Sequence, residues 1–191
     1  MSEKRRRIYL AGPEVFLPDA RAMGAEKARR AAAAGFEGCF PLDQELNLSG
    51  LAKREQARHI SLANEALMRS CDLLIANMTP FRGVSMDPGT AFEIGFMRAL
   101  GQPVLGYTNV APDLKARVEA WRARGIPLGD SDRPDVEIED FALAENLMME
   151  IAIGEAGGTL VREAVPVGQE MIALGGFQRC LAQARKIVLG A

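Results

Sequence analysis

The chain has 191 residues, of which 48% are hydrophobic and 25% charged, and its formal net charge is -2 with a pI near 5.6. These values are typical of a globular protein with one core, and they exclude the strongly basic surface of DNA- and RNA-binding proteins. No segment has the roughly 20 consecutive apolar residues of a membrane helix, and no secretory signal is evident. We therefore expect one cytoplasmic domain over residues 1–191 that acts on small molecules, without nucleic acid or membrane.

The cysteine and histidine content argues against metal and redox sites. Cys39, Cys71 and Cys180 are odd in number and form no CxxC pair, which favours buried free thiols. The single histidine, His59, lies within a predicted helix and has no acidic partner nearby in sequence. The sequence therefore predicts neither a bound metal nor a Ser-His-Asp triad.

Apolar runs bounded by glycine and proline predict short strands that alternate with helices. The strands are predicted at residues 8–12, 36–40, 72–78, 103–107 and 136–138. Helices are predicted at about 19–34, 51–69, 88–100, 112–124, 145–153 and 174–188, with a polar loop at 130–135. This alternation predicts an α/β fold, a parallel sheet with helices on both faces.

Ligands of such sheets bind at the carboxyl ends of the strands, which selects the segments after the first three strands. Gly12 follows the first strand, Gln44 the second and Asn77 the third. Neither GxGxxG nor GxxxxGK[ST] occurs in the chain, so a dinucleotide cofactor and P-loop chemistry are not expected.

Two carboxylates mark the helix that follows the third strand. Asp87 and Pro88 suit the first positions of a helix, so capping alone explains Asp87. Glu93 lies in the second turn among mostly apolar neighbours, where an unpaired charge is costly. It therefore faces a polar cleft, or it pairs with Arg82 or Arg98. A carboxylate in a half-dry cleft suits attack on an anomeric carbon, with a second acid protonating the leaving group.

At these residues the chain resembles the nucleoside 2-deoxyribosyltransferase family. The most specific stretch is Asp87-x-Gly89-Thr90-Ala91-x-Glu93-Ile94-Gly95, and residues 8–13 and 71–78 support it. A fourth stretch, Glu145-Asn146-Leu147-Met148, is similar to the family's Asp-Asn-Leu-Met element, although glutamate replaces the usual aspartate. No match is evident from about residue 154 to 191, whose role is packing or oligomer contact.

The resemblance implies a single-domain, Rossmann-like sheet of the flavodoxin type, with its core at about residues 8–150 and a C-terminal helical extension at about 154–191. It implies no cofactor, a deoxynucleoside and a free nucleobase as partners, and a homo-oligomer with shared active sites. Glu93 is then the nucleophile, and Tyr9 hydrogen-bonds and positions it. The alternative for Tyr9 is a core aromatic.

The resemblance also implies roles for polar residues around the substrate. Asp72 and Asp87 would contact the base and assist its protonation. From its position alone, Asp72 is instead a strand cap or an exposed residue, because it starts the third strand. Gln44 would contact the sugar hydroxyls or serve as a turn residue. Asn146 would reach the active site of an adjacent subunit or merely begin a helix.

Three functions remain open at this stage. The leading one is base exchange through a deoxyribosyl ester on Glu93. The second is hydrolysis of 2′-deoxynucleosides or their 5′-monophosphates, for which Arg82 and Ser85 offer a phosphate contact. The third is a non-catalytic nucleotide sensor, which would need no nucleophile.

Overall fold

The computed structural model describes residues 5–125, 133 and 135–190. Within these ranges the strands are β1 (Arg7–Ala11), β2 (Glu37–Cys39), β3 (Leu73–Asn77), β4 (Val104–Thr108) and β5 (Leu160–Arg162). They form one parallel sheet in the order β2-β1-β3-β4-β5. This is the flavodoxin-like order, so the predicted fold is confirmed. In such sheets a crevice opens at the carboxyl ends of β1 and β3, where the connections diverge to opposite sides.

Six α-helices connect and cover the strands in the described part of the chain. They are α1 (Ala20–Ala33), α2 (Lys53–Arg69), α3 (Pro88–Ala99), α4 (Leu114–Arg122), α5 (Leu147–Glu155) and α6 (Gly175–Ala184). Two 3₁₀ turns follow the first two strands, at Pro13–Phe16 and Pro41–Asp43, and a π turn follows α6 at Arg185–Leu189. No helix in the described ranges has the length and apolarity that crossing a membrane requires.

The sheet separates two apolar layers, and β1 contributes to both. Ile8 and Leu10 face the layer under α1 and α6, whereas Tyr9 and Ala11 face the layer under α2, α3 and α5. This alternation follows from the period of two in a strand. Tyr9 is therefore directed toward the face that α3 covers.

The C-terminal segment completes the core. Phe177, Cys180 and Leu181 of α6 are fully buried in the layer that also holds Leu105 and Tyr107 of β4. Of the two roles considered for this segment, the structure shows packing. All three cysteines are free and buried, as expected, and His59 is exposed.

One predicted strand is wrong. Residues 136–138 form no strand, and the sheet's fifth strand is Leu160–Arg162, which pairs with β4. Gly158 permits this pairing, because a Cβ there would lie only 1.7 Å from the Val104 carbonyl oxygen. The loop predicted at residues 130–135 lies outside the described residues, apart from Arg133 and Asp135.

Candidate active site

A tyrosine from the sheet and a glutamate from α3 form the centre of the site. The Tyr9 hydroxyl donates a hydrogen bond of 2.5 Å to Oε1 of Glu93. Tyr9 is fully buried, while Glu93 is only partly so. The expected pairing of these residues is thus present, and Glu93 makes no ion pair with Arg82 or Arg98 in the described structure.

The surroundings of Tyr9 and Glu93 raise the pKa of both side chains. Burial raises the pKa of Glu93 to about 7, the Tyr9 hydrogen bond opposes that rise, and the charges of Asp87 and Glu14 add to it. Burial, together with the Glu93 charge, raises the pKa of Tyr9, so the phenol stays protonated and remains a donor. The site therefore holds a carboxylate that changes charge near neutral pH, a property common among catalytic groups.

Asp87 begins the helix that carries Glu93. Its Oδ2 accepts hydrogen bonds from the backbone nitrogen of Thr90, at 2.8 Å, and from the Thr90 hydroxyl, at 3.1 Å. The predicted N-cap is therefore observed, and Pro88 occupies the first helical turn. Both bonds use one oxygen, so capping leaves Oδ1 for another partner.

A groove between α2 and α3 gives access to Glu93. Its lining includes Ile60 and Asn64 from α2 and Gly89, Phe92 and Glu93 from α3. Gly89 lies one turn before Glu93 on the same helix face, so no side chain covers the carboxylate from that side. The groove has mostly apolar walls around a titratable group, as enzyme clefts often do.

A larger cleft of ≈ 810 Å³ shares Ile60 and Asn64 with this groove. Its other walls include Phe16 and Gln44, so the cleft continues from the groove toward the turns that follow β1 and β2. The Nε2 atom of Gln44 donates to Oδ1 of Asn64 at 3.1 Å. Gln44 is thus located at the cleft, as expected for a residue near a sugar.

Asn64 is a candidate that the sequence analysis missed. It lines both depressions and bonds to Gln44, although it lies on a helix whose polar residues are mostly exposed. A polar residue in such a helix is typical of a solvated face. Only the packing of α2 beside α3 distinguishes Asn64 from its exposed neighbours.

Gly12 and Asn77 lie at the expected edge of the sheet, but both are buried beside an unpredicted ion pair. Glu14 and Lys27 are buried and 2.5 Å apart. The same Glu14 oxygen accepts from Asn77 Nδ2 and from the Tyr107 hydroxyl, each at 3.0 Å. A Cβ at Gly12 would meet Glu14 Oε2 at 1.9 Å, so glycine is needed for this packing.

Asn77 has a structural role rather than the expected contact with substrate. Its Nδ2 bonds to Glu14, and its Oδ1 accepts from the backbone nitrogen of Thr79 at 3.0 Å. The Thr79 hydroxyl in turn accepts from the backbone nitrogen of Asn109. This chain of hydrogen bonds ties the carboxyl ends of β3 and β4 to the turn after β1.

Asp72 does not lie with the other catalytic candidates. Its carboxylate accepts from the backbone nitrogen of Arg7 at 2.8 Å and from Arg6 Nη1 at 2.9 Å. It therefore sits at the amino end of β3, whereas Gly12 and Asn77 mark the carboxyl edge. These contacts fit the interpretation from position, a strand cap, and the contact of Asp72 with the base stays a prediction.

Asn146 caps α5 within its own chain. Its Oδ1 accepts from the backbone nitrogen of Met148 at 3.0 Å, and its Nδ2 donates to Glu139 at 2.5 Å. Both ends of the amide are thus engaged. This is the helix-start role that the sequence analysis left open.

The loop between β3 and α3 is held by Glu145. This buried carboxylate accepts from the Ser85 hydroxyl at 2.6 Å and from the Met86 backbone nitrogen at 2.9 Å. Arg117 pairs with Glu145 at 3.3 Å and donates to the Val84 carbonyl. The Ser85 hydroxyl is therefore committed to Glu145 and is not a free phosphate donor.

Comparison with known proteins identifies the family of the chain. The family model described as nucleoside 2-deoxyribosyltransferase matches residues 8–148. An uncharacterized protein of Schizosaccharomyces pombe is 34% identical over 129 residues, which are 66% of this chain and 60% of that protein. The chain thus spans less than two thirds of that relative's length.

Two solved structures share the fold. A 2-desoxiribosyltransferase from Leishmania mexicana is 31% identical, with a TM-score of 0.56 over 75% of this chain and 85% of its own. A conserved protein from Enterococcus faecalis has the same TM-score at 20% identity, over 94% of this chain and 99% of its own, and supports the fold alone. The family match at residues 8–148 includes β2, β3 and β4, both residues of the Tyr9–Glu93 pair and the start of α5, and the chain belongs to the nucleoside 2-deoxyribosyltransferase family.

Proposed function

We propose that this protein is a nucleoside 2-deoxyribosyltransferase that exchanges the base of 2′-deoxynucleosides through an ester on Glu93. The observation that carries the proposal is the hydrogen bond between Tyr9 and Glu93 at the bottom of an open groove. A buried, protonated phenol holds one carboxylate oxygen and leaves Oε2 for attack. A sensor that only binds a nucleotide needs no such pair.

The first half of the reaction forms the ester. Glu93 Oε2 attacks C1′ of the deoxyribose as the C1′–N bond breaks, and the electron pair of that bond stays with the base. Asp87 relays a proton from water to the departing base, since Asp87 has an oxygen not used in capping and lies close enough to influence Glu93. The transition state resembles an oxocarbenium ion, which nearby carboxylates stabilise.

The second half reverses these steps with a new base. A nitrogen of the incoming base attacks C1′, the ester bond breaks, and Glu93 leaves as a carboxylate. The proton of that nitrogen returns to Asp87. Two displacements at C1′ give net retention of its configuration. The side-chain amides of Gln44 and Asn64 hydrogen-bond to the sugar hydroxyls.

One assay separates the candidate functions. The protein is incubated with deoxyinosine, with and without free adenine, and the products are separated by chromatography. We expect deoxyadenosine to form only when adenine is present. Hypoxanthine release without an added base would instead identify a hydrolase, and no turnover of any deoxynucleoside would contradict the proposal.

We further propose that the protein acts as a homo-oligomer with shared sites. An apolar surface supports this: Met148 and Ile151 of α5 and Phe92 of the adjacent α3 are each more than half exposed. Burying such a surface between copies is favourable. Such an interface would place the start of α5 beside the α3 groove of another subunit. There the Asn146 amide would hydrogen-bond to substrate instead of to Glu139.

Complementation tests this arrangement. Glu93→Ala and Asn146→Ala proteins should each be impaired, the first more severely, and mixed oligomers refolded from both should regain activity above the average of the two. Subunit exchange is confirmed by differential tags. If exchange occurs without any gain, Asn146 does not act between subunits.

A further inference from the structure

The loop between β3 and α3 carries an arginine in an unusual conformation. Arg82 has a φ of 57°, in the left-handed region of the backbone that residues other than Gly, Asn and Asp rarely occupy. The loop is closed around it by a hydrogen bond from the Phe81 nitrogen to the Ser85 carbonyl, and it ends at Asp87. An unfavourable conformation held in a loop beside a site is a reason to look for a functional role.

This conformation places the guanidinium over two aromatic rings. Its Cζ lies 4.6 Å from the centroid of Phe81 and 5.1 Å from that of Phe16. The two rings are themselves stacked, with centroids 5.3 Å apart and an interplanar angle of 12°. Phe16 lines the large cleft and is 54% exposed, so a flat ring in the cleft has an aromatic surface to stack on.

The guanidinium is oriented by stacking, but its donors are not used. In the described part of the chain, no hydrogen bond or ion pair engages Arg82, which is exposed. Two other arginines are occupied: Arg21, which lines the cleft, donates to the Leu42 carbonyl, and Arg117 is bound to Val84 of the same loop and to Glu145. Arg82 therefore presents a fork of unused donors beside Phe16, which lines the cleft.

Two kinds of ligand suit such a fork: a phosphate, or a base edge with two adjacent acceptors. A phosphate site needs further donors, and the nearby Ser85 hydroxyl is already given to Glu145. The aromatic surface of Phe16 instead suits a planar base. Among the bases, a 6-oxopurine presents O6 and N7 as adjacent acceptors, which arginine binds with two hydrogen bonds, whereas adenine presents a donor at N6.

We propose that Arg82 determines base specificity by recognising the O6 and N7 edge of a 6-oxopurine stacked against Phe16, so that hypoxanthine and guanine nucleosides are favoured over adenine nucleosides. This rests on the proposed function for the identity of the site. Arg82 acts on binding of the base rather than on attack at the sugar. Its role can therefore be measured without turnover.

The experiment uses Glu93→Gln protein, so that substrate binds without reacting, and measures binding by calorimetry. We expect deoxyinosine to bind about 5- to 150-fold more tightly than deoxyadenosine, the discrimination typical of one bidentate arginine–base contact. Adding Arg82→Gln should remove most of this preference. Arg82→Lys should remove it too, because an ammonium keeps the charge without the planar fork.

Arg98→Gln in the same background is the matched control, since Arg98 is an exposed arginine in the last turn of α3, and it should keep the preference. Equal weakening of both nucleosides by Arg82→Gln would overturn the proposal, as would an effect seen only with deoxyinosine 5′-monophosphate, which would identify a phosphate contact. Absence of nucleoside binding would overturn it as well. Selective binding that needs Arg82, in a wild-type protein without turnover, would support this inference while refuting the proposed transferase.

Discussion

The hydrogen bond between Tyr9 and Glu93 orients the carboxylate and also limits how far burial raises its pKa. A nucleophile must be ionised, so turnover should rise with pH through the pKa of Glu93, near 7. Burial that is too complete would leave the group protonated and inactive. The hydrogen bond from Tyr9 thus lowers the pKa of the partly buried Glu93, so that the ionised carboxylate is present at neutral pH.

Replacing Tyr9 with Phe tests this role. The loss of one hydrogen bond to a charged group is worth about 1.5–3 kcal/mol, so kcat should fall roughly 10- to 100-fold without being abolished. The midpoint of the rising pH limb should also move above that of the wild type, because the bond that lowers the pKa is gone. A pH profile of kcat measures both effects, and an unchanged midpoint would contradict the assignment.

The same carboxylate should reduce stability. The pKa of Glu93 is about 7 in the folded protein against an ordinary 4.5, so between these pH values the native state binds more protons than the unfolded state. Stability contributed by the protonated group is therefore lost as pH rises through this window. Glu93→Gln should be more stable than wild type at pH 8 by on the order of 3 kcal/mol, and equally stable at pH 4.

Urea unfolding at the two pH values measures the difference. A gain of the same size at both would point to a packing effect instead of ionisation. A loss at pH 8 would mean that the carboxylate stabilises the fold and is not held for chemistry.

Individual residues differ in how far their roles can be read from sequence. The position of Glu93 at a cleft could be predicted, because an unpaired charge among apolar residues of a helix is energetically costly. Asn77 lies at the predicted edge, but its inward role depends on Glu14, a residue whose burial no local pattern indicates. Asn64 looks like part of a solvated helix face until α3 packs beside it.

Among the elements, the start of α3 has two roles in the proposed mechanism, because Asp87 caps the helix and would also pass a proton to the base. Asp87→Asn keeps the cap, since Asn and Asp are about equally good at this position, but it cannot donate a proton to the base. Asp87→Ala loses both, including about 1 kcal/mol of stability. We expect both variants to lose roughly 10²- to 10⁴-fold in turnover and only the alanine variant to melt at a lower temperature.

Thermal melts and initial rates with deoxyinosine and adenine provide the two measurements. Full activity in Asp87→Asn would show that Asp87 serves the helix and not the reaction. Pro88→Ala is a suitable control at the same turn. It should change neither the cap bond to Thr90 nor the rate.

The strands show where sequence patterns reach their limit. β1, β3 and β4 are buried along nearly their whole length, and apolar runs identify them. β5 has only three residues, Leu160–Arg162, and a burial pattern with one buried position. Its place in the sheet depends on the close approach of Gly158 to Val104, a contact that hydrophobic periodicity does not predict. Residues 136–138 have the alternation typical of a strand but form none.

At the scale of the whole molecule, the buried Glu14–Lys27 pair joins the turn after β1 to α1, β3 and β4. Lys27 also lies over the rings of Tyr107 and Phe177, at 5.6 and 5.3 Å. Removing one partner leaves an uncompensated buried charge. Lys27→Met should therefore destabilise the protein by about 3–5 kcal/mol.

The double variant Glu14→Gln/Lys27→Met is the informative comparison. Glutamine can still accept from Asn77 and Tyr107, and no charge is left unpaired, so most of the lost stability should return. Chemical denaturation of the wild type, Glu14→Gln, Lys27→Met and the double variant measures the coupling. If the double variant is as unstable as the two single losses combined, the pair does not act as a unit.

In the proposed mechanism, Glu93 carries the sugar between two bases as a deoxyribosyl ester. Trapping this ester tests the mechanism. Wild-type protein is mixed with deoxyinosine without an acceptor base, quenched in acid and digested, and the peptides are analysed by mass spectrometry. We expect one added deoxyribosyl group on the peptide that contains Glu93, and none in Glu93→Gln protein treated alike. A deoxyribosyl group on any other residue, or an unlabelled Glu93 peptide while bases are being exchanged, would contradict it.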